Sequence, residues 1–361
     1  MSNTYDGPRA CGPYELAPTL DLLNRTFFPE EARMGHFGPH LLSEANREQM
    51  RIIVSAGRPV AHAGLYVADL VTPRGELRLG GIFGVACAPD FRRQGLGEAC
   101  VRDAMTHMQS LGCDLGWLGT GITDWYRGFG WESAGRGYSF ELDRASVECL
   151  PGLSGVEVAT GLWPDLPEML ALRAQDALGV RRTPEVMTIL LADRYSALEV
   201  FTTAQDGRLV AYVAVRNGDR VEEHAGPPEL VAGLIREVFH RRDDASAPTS
   251  TTNHPGRLLV ETPVVDRGLS LRLRGLGLPY HYGYRGMYWV ANLESLLTKL
   301  GLAEQIQFAR TDGGYLLRRG AEQVDLSERH LAKLLLGPER VSSFAADLFP
   351  LEFYHWDADM V

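Results

Sequence analysis

Residues 85–97 read VACAPDFRRQGLG. An apolar run that begins at Leu79 (LGGIFGVACA) has the composition of a buried strand and is stopped by Pro89. RxxGxG follows at Arg92, Gly95 and Gly97, and from there Leu96, Cys100, Ala104, Met108 and Leu111 recur at helical spacing until Gly112. The order is strand, glycine turn, helix. Glycines let a backbone approach an anion closely, and a helix start aims unpaired N–H groups and the positive end of its dipole at that anion. The segment Arg92, Arg93, Gln94, Gly95, Leu96, Gly97 and Glu98 is therefore expected to hold a pyrophosphate. Neither GxxxxGK[ST] nor GxGxxG is present, which disfavours nucleoside triphosphates and dinucleotides as its carrier.

A second apolar stretch, residues 115–120, leads into GITDWYRGFGWES at 121–133, where Trp125, Tyr126, Gly130 and Trp131 cluster. With both motifs in this order, the segment from Leu79 to Leu142 resembles the GCN5-related N-acetyltransferases, the GNAT superfamily. The resemblance implies acetyl-CoA as co-substrate. Val85, Ala86 and Cys87 would pair through their backbone with the pantetheine arm and thioester carbonyl, the turn at 92–98 would hold the pyrophosphate, and Gly121 and Ile122 would belong to the same site. Tyr126 stands where the family places its general acid; a phenol with a reference pKa of about 10 stays protonated at neutral pH. Cys87 could instead be read as an acyl-accepting nucleophile, but a thiol inside an apolar strand behaves as a small hydrophobe. Direct transfer to the amine is the expectation.

The chain has 361 residues, more than one domain of about 150 requires. WYRGFGWESAGRGYSFEL (125–142) is echoed by RLRGLGLPYHYGYRGMYWV (272–290), with Arg127, Gly128 and Gly130 answered by Arg274, Gly275 and Gly277. The hairpin pattern around SAGRP (55–59) is likewise echoed around AQDG (204–207). A second, diverged copy of the first fold is expected. Ala225, Gly226, Pro227, Pro228, Glu229 and Leu230 replace its anion turn, and Leu273 replaces Tyr126, so this copy should bind no CoA.

Beyond it, residues 289–302 have helical apolar spacing, 308–319 read as a hairpin around Asp312, Gly313 and Gly314, and 326–337 as a helix capped by Ser327 and Gly337. This tail resembles a short sterol carrier protein-like domain, and the whole order resembles the enhanced intracellular survival (Eis) family of acetyltransferases. The expected class is α/β (α+β): tandem GNAT folds with mixed central sheets at 1–146 and 147–287, then the sterol carrier-like α+β domain at 288–361. The resemblance further implies a homohexamer and a terminal carboxylate, here that of Val361, acting as base. The apolar ending FPLEFYHWDADMV suits a docked tail; Asp357 or Asp359 could serve in its place.

Net charge is −10, from 36 basic and 46 acidic residues, which argues against nucleic acid and suits a small cationic amine such as an aminoglycoside, polyamine or lysine-like acceptor. Five scattered cysteines and ten histidines show no disulfide or metal spacing, so no metal is expected. His36, His40 and His62 read as structural. Residues 240–257 read as a polar mobile loop, and Glu30, Glu31 and Glu44 as solvated helix residues or acceptor contacts. No run is long and apolar enough to span a bilayer, and the cytoplasm is the default expectation. The rival functions are a lipid-binding carrier and a non-catalytic acetyl-CoA sensor.

Overall fold

The structure is a computed structural model that describes residues 4–192, 198–244 and 256–359. In chain order it begins with β1 (Tyr5–Ala10), α1 (Leu16–Phe27), α2 (Met34–Phe37), β2 (Met50–Ser55), β3 (Arg58–Thr72), β4 (Gly75–Cys87), α3 (Leu96–Ser110), β5 (Leu115–Leu118), α4 (Thr123–Arg127) and β6 (Glu132–Ser133). There follow β7 (Gly137–Leu142), α5 (Arg144–Glu148), β8 (Glu157–Thr160), α6 (Leu166–Ala174), β9 (Gly179–Val180), α7 (Pro184–Ala192), β10 (Leu198–Gln205), β11 (Arg208–Arg216), β12 (Arg220–Ala225), α8 (Pro228–Asp244), β13 (Leu258–Pro263), α9 (Gly268–Gly275) and β14 (Tyr280–Gly283). The last part holds β15 (Met287–Val290), α10 (Leu293–Lys299), β16 (Gln307–Thr311), β17 (Gly314–Arg319), β18 (Glu322–Ser327) and α11 (Glu328–Leu336).

Two mixed sheets carry the molecule. The first runs β1-β2-β3-β4-β5-β15-β6, with β9 paired to β3, and the second runs β8-β10-β11-β12-β13-β7-β14. Strand directions also correspond: β4–β5 and β12–β13 are parallel, and every other neighbouring pair is antiparallel. The helices α3 and α8 occupy the same crossover between the parallel strands, as do α4 and α9 after them. Each parallel pair needs such a crossover, whereas the antiparallel hairpins close with two residues at positive φ, Ala56 with Gly57 and Asp206 with Gly207.

The two sheets exchange one strand each. β7 leaves the first part of the chain to lie between β13 and β14, and β15 returns to lie between β5 and β6. The expected divisions at 146 and 287 thus fall just after one exchanged strand and inside the other. Residues 289–302 are also not one helix: Tyr288 and Trp289 lie on a strand and are buried in different cores, and only Leu293–Lys299 is helical, capped by Asn292. A strand buried on both faces is apolar throughout, which periodicity cannot separate from a helix. Likewise, residues 240–244 belong to α8 rather than to a loop, while 245–255 lie outside the described residues.

The small sheet β16-β17-β18 packs with α10 and α11, and its core is continuous with that of the first sheet through Leu115, Trp117, Tyr288 and Leu335. After α11 the chain runs extended between the two large sheets. His355 meets Trp117 of β5 edge-to-face at 4.5 Å between ring centres, and the next residue, Trp356, meets His224 of β12 in the same way at 4.8 Å. Alternate side chains of this tail therefore face opposite sheets.

A buried charge cluster closes the same seam. Arg182 bonds Glu223 through both Nη atoms (3.0 and 2.5 Å) and Asp359 Oδ1 through Nε (2.6 Å). Arg173 reaches Asp359 Oδ2 at 2.8 Å and the Val180 carbonyl at 2.5 Å, while the Tyr212 hydroxyl donates to Glu223 at 2.6 Å. Burial opposes the charge on Arg182, but Asp359 and Glu223 outweigh it and hold the guanidinium charged. Two cations thus balance two carboxylates, and removing one partner strands a buried charge. Arg182→Met should lower unfolding free energy by about 3–5 kcal/mol, read from urea titration.

His40, His62 and His224 are pushed down to about 4 by burial. Between pH 6.5 and 4 the unfolded chain binds protons that the folded chain refuses, so stability is full above about 6.5 and is lost as pH falls toward 4. Each such group contributes up to about 1.4 kcal/mol per pH unit. The urea midpoint should fall between pH 6.5 and 5, and His224→Phe should make that slope shallower.

Candidate active site

β4 is paired with β3 along its length, but its pairing with β5 covers only Leu79–Gly81 against Leu115–Trp117. From Ile82 onward the edge facing β5 has no strand beside it among the described residues, and the two strands part. Within the free stretch the β3–β4 register slips between His62/Ala86 and Gly64/Phe83, leaving Gly84 and Val85 opposite Ala63. Gly84 takes φ +58, a value that a β-branched residue would not tolerate in the strand. Around this bulge Ala86 packs on the α1 side, whereas Val85 and Cys87 lie half-buried against the α3 side.

The turn after β4 leads straight to the start of α3. Arg92 donates from Nε to the Cys87 carbonyl at 3.1 Å, and Gly95 takes φ +78 immediately before the helix, whose first turn has no side-chain cap. A Cβ at Gly95, Gly97 or Gly121 would meet nothing within 4 Å, so open space lies over the turn. Arg92 and Arg93 pair with no carboxylate among the described residues. Gln94 is turned aside, accepting from the Tyr5 hydroxyl at 2.6 Å, and Glu98 pairs with Arg102 at 2.9 Å. Leu96 is buried and seats the helix start on the core. Uncapped N–H groups, two uncompensated cations and room above the backbone fit a pyrophosphate. Ile122, by contrast, is 61% exposed beside Gly121.

Tyr126 lies on α4, buried against Trp125 at 4.7 Å between ring centres and against Phe129 at 6.3 Å. Its hydroxyl makes no hydrogen bond among the described residues, and burial pushes its pKa up to about 12. The phenol is therefore a protonated donor throughout the neutral range. Cys87 is unlike a reactive thiol: burial raises its pKa, with only Arg92 opposing, and all five cysteines are free.

On the opposite face, a narrow cavity beneath the parting point is lined by Tyr66, Gly81 and Trp117 of the first sheet, by Val180, Val186 and Leu190, and by Asp359. Val361 lies outside the described residues, as does the side chain of Asp357. Asp359 gives its oxygens to Arg173 and Arg182, which makes it an anchor for the tail rather than a free base. His62 is buried and His40 half-buried, and the side chain of His36 is outside the described set. Glu31 and Glu44 pair with Arg33 and Arg47 at the surface.

Among the described residues, the second sheet has no equivalent site. Only Gly226 and Pro227 separate β12 from α8, whereas eight residues, 88–95, separate β4 from α3. Leu273 is buried on α9 where Tyr126 sits on α4. The prolines in this stretch were visible in the sequence. That the turn is also shortened was not, because the two strands must first be matched to see it.

Residues 9–134 match the family model described as an acetyltransferase (GNAT) domain. No curated protein matches the chain in sequence. Among solved structures, the fold is similar to that of a probable N-acyltransferase from Enterococcus faecalis V583, with a TM-score of 0.64 at 13% identity, covering 91% of this chain and 84% of that one. It is similar to a GCN5-related N-acetyltransferase from Anabaena variabilis, with a TM-score of 0.64 at 13% identity over 92% and 89% of the two chains. Eis1 from Mycobacterium abscessus aligns with a TM-score of 0.59 at 14% identity over 93% and 90%. With the strand–turn–helix, the parted strands and the buried tyrosine inside the matched segment, this chain carries a GNAT acetyltransferase domain and is an N-acetyltransferase.

Proposed function

We propose that the chain moves an acetyl group from acetyl-CoA directly to a primary amine. The observation that carries this reading is the edge of β4, free from Ile82 onward, which ends at the uncapped start of α3 with Tyr126 on the neighbouring α4. Arg92 to Glu98 would hold the pyrophosphate, with Gly121 and Ile122 beside it, and the backbone of Val85, Ala86 and Cys87 would hold the pantetheine arm and the thioester oxygen. A fixed amide aimed at that oxygen stabilises the charge it gains as the amine attacks. The C–N bond forms and the C–S bond breaks; the amine loses a proton, and the departing sulfur takes one from Tyr126.

The acceptor is proposed to be a cationic small molecule that presents one neutral amine, approaching from the α1 face. Asp359 lines the cavity there, and the carboxylate of Val361 is proposed as proton acceptor on the resemblance alone, Val361 lying outside the described residues. We read the second sheet as a degenerate GNAT copy, since it repeats the strand order of the first without the turn or the tyrosine. The boundaries 1–146, 147–287 and 288–361, the sterol carrier-like tail, the hexamer and the cytoplasm are proposed on the resemblance. Among the described residues, no helix is long and apolar enough to cross a membrane. Apolar ligands co-purifying with the full chain, without thiol release from acetyl-CoA and a panel of amines, would favour the lipid-carrier reading instead.

Tyr126→Phe should lower kcat by about 100-fold or more while leaving KM for acetyl-CoA within about threefold. Because the acid form of Tyr126 persists to about 12, kcat should show no fall attributable to it between pH 7 and 10. Replacing Arg92 and Arg93 together by alanine should raise KM for acetyl-CoA about tenfold, more at low ionic strength than at high, with a smaller change in kcat.

A further inference from the structure

His62 on β3 is fully buried, and nothing in the reaction above uses it. Its Nδ1 lies 2.7 Å from the carbonyl oxygen of Gly84, while its Nε2 has no partner among the described residues. A carbonyl can only accept, so Nδ1 carries the proton. Gly84 is the bulged residue of β4, and its carbonyl shares a peptide plane with the N–H of Val85. In a trans peptide the C=O and N–H point in opposite directions. A ring that pins the Gly84 carbonyl therefore also pins the Val85 N–H, directing it away from the imidazole. Val85 has no cross-strand partner in the register and lies half-buried where β4 parts from β5.

We infer that His62 is a positioning residue: by holding the Gly84 carbonyl it orients the Val85 amide that receives the thioester oxygen. The inference rests on the acetyl-transfer reading of the β4 edge. Burial that keeps the imidazole neutral, at a pKa of about 4, preserves this one tautomer at neutral pH. Hydrogen bonding at the carbonyl also polarises the amide beyond it, strengthening the donor. The second sheet supplies an internal comparison. Counted from the matching hairpins at Gly57 and Gly207, Tyr212 stands where His62 stands, and the β11–β12 register slips further along, between Ala214 and Val215. That sheet thus has neither an imidazole nor a slip at this position, and it lacks the counterpart of Tyr126 on α9.

An asparagine side chain can place an N–H where Nδ1 sits, whereas a glutamine reaches toward Nε2. His62→Asn should therefore keep kcat within about fivefold of the parent, and His62→Gln should lose about 10–100-fold in kcat with KM for acetyl-CoA little changed. Equal kcat in the two variants, or a loss confined to KM, would overturn the assignment. A readout independent of turnover separates this from failure of the acetyl-transfer reading. In the histidine-labelled full chain at pH 7, nitrogen NMR should report the Nδ1–H tautomer for His62, and the Val85 amide nitrogen, which senses hydrogen bonding at the preceding carbonyl, should shift in His62→Gln but not in His62→Asn. An Nε2–H tautomer, or a Val85 signal unmoved in both variants, would sink the proposal even in an active enzyme. A chain that releases no thiol from acetyl-CoA with any amine would defeat the functional reading, leaving the NMR result to decide the His62 contact.

Discussion

Neither large sheet is complete without a strand from the other half of the chain. β15 fills the place between β5 and β6, and β7 fills the same place between β13 and β14. Unfilled, each gap would leave rows of backbone N–H and C=O groups without partners in the interior, a cost that no side chain could offset. The exchange therefore binds the halves more firmly than surface contact would. It also brings the free edge of β4 on one sheet near the tail that runs between both.

That tail is set by two kinds of contact. Edge-to-face contact of His355 with Trp117 and of Trp356 with His224 seats it against both sheets. Arg173, Arg182, Glu223 and Asp359 then fix its depth, because a buried charge tolerates no displacement from its partner. Asp359 consequently lies beneath the point where β4 and β5 part, and the narrow cavity there is walled by the first sheet, the segment around Val180 and α7, and the tail.

The strand–turn–helix at 79–110 and the short helix bearing Tyr126 were largely legible from the sequence. RxxGxG before helical spacing, and Trp125-Tyr126 before Gly130, are local patterns whose chemistry is local too: an anion needs glycines and a helix start, and an acid needs a hydroxyl at a set distance from both. The echo at Arg274 and Gly275 correctly announced a repeated strand order. Residues 289 and 290 were misread because apolar residues on a strand buried on both faces imitate a helix. The bulge had a visible trace in Gly84, an isolated glycine in a strand pattern, but its partner His62 lies 22 residues earlier and becomes meaningful only once the register is known.

By itself, then, the sequence determined where the strand, glycine turn and helix lie and which stretch carries Tyr126, since each depends on residues within a few turns of one another. Tertiary structure alone decided the strand exchange, the burial that keeps Tyr126 protonated, the conversion of Asp359 from candidate base to anchor, and the peptide plane that His62 holds. These follow from pairing and burial between residues far apart in the chain, and spacing along a sequence carries no record of such distances.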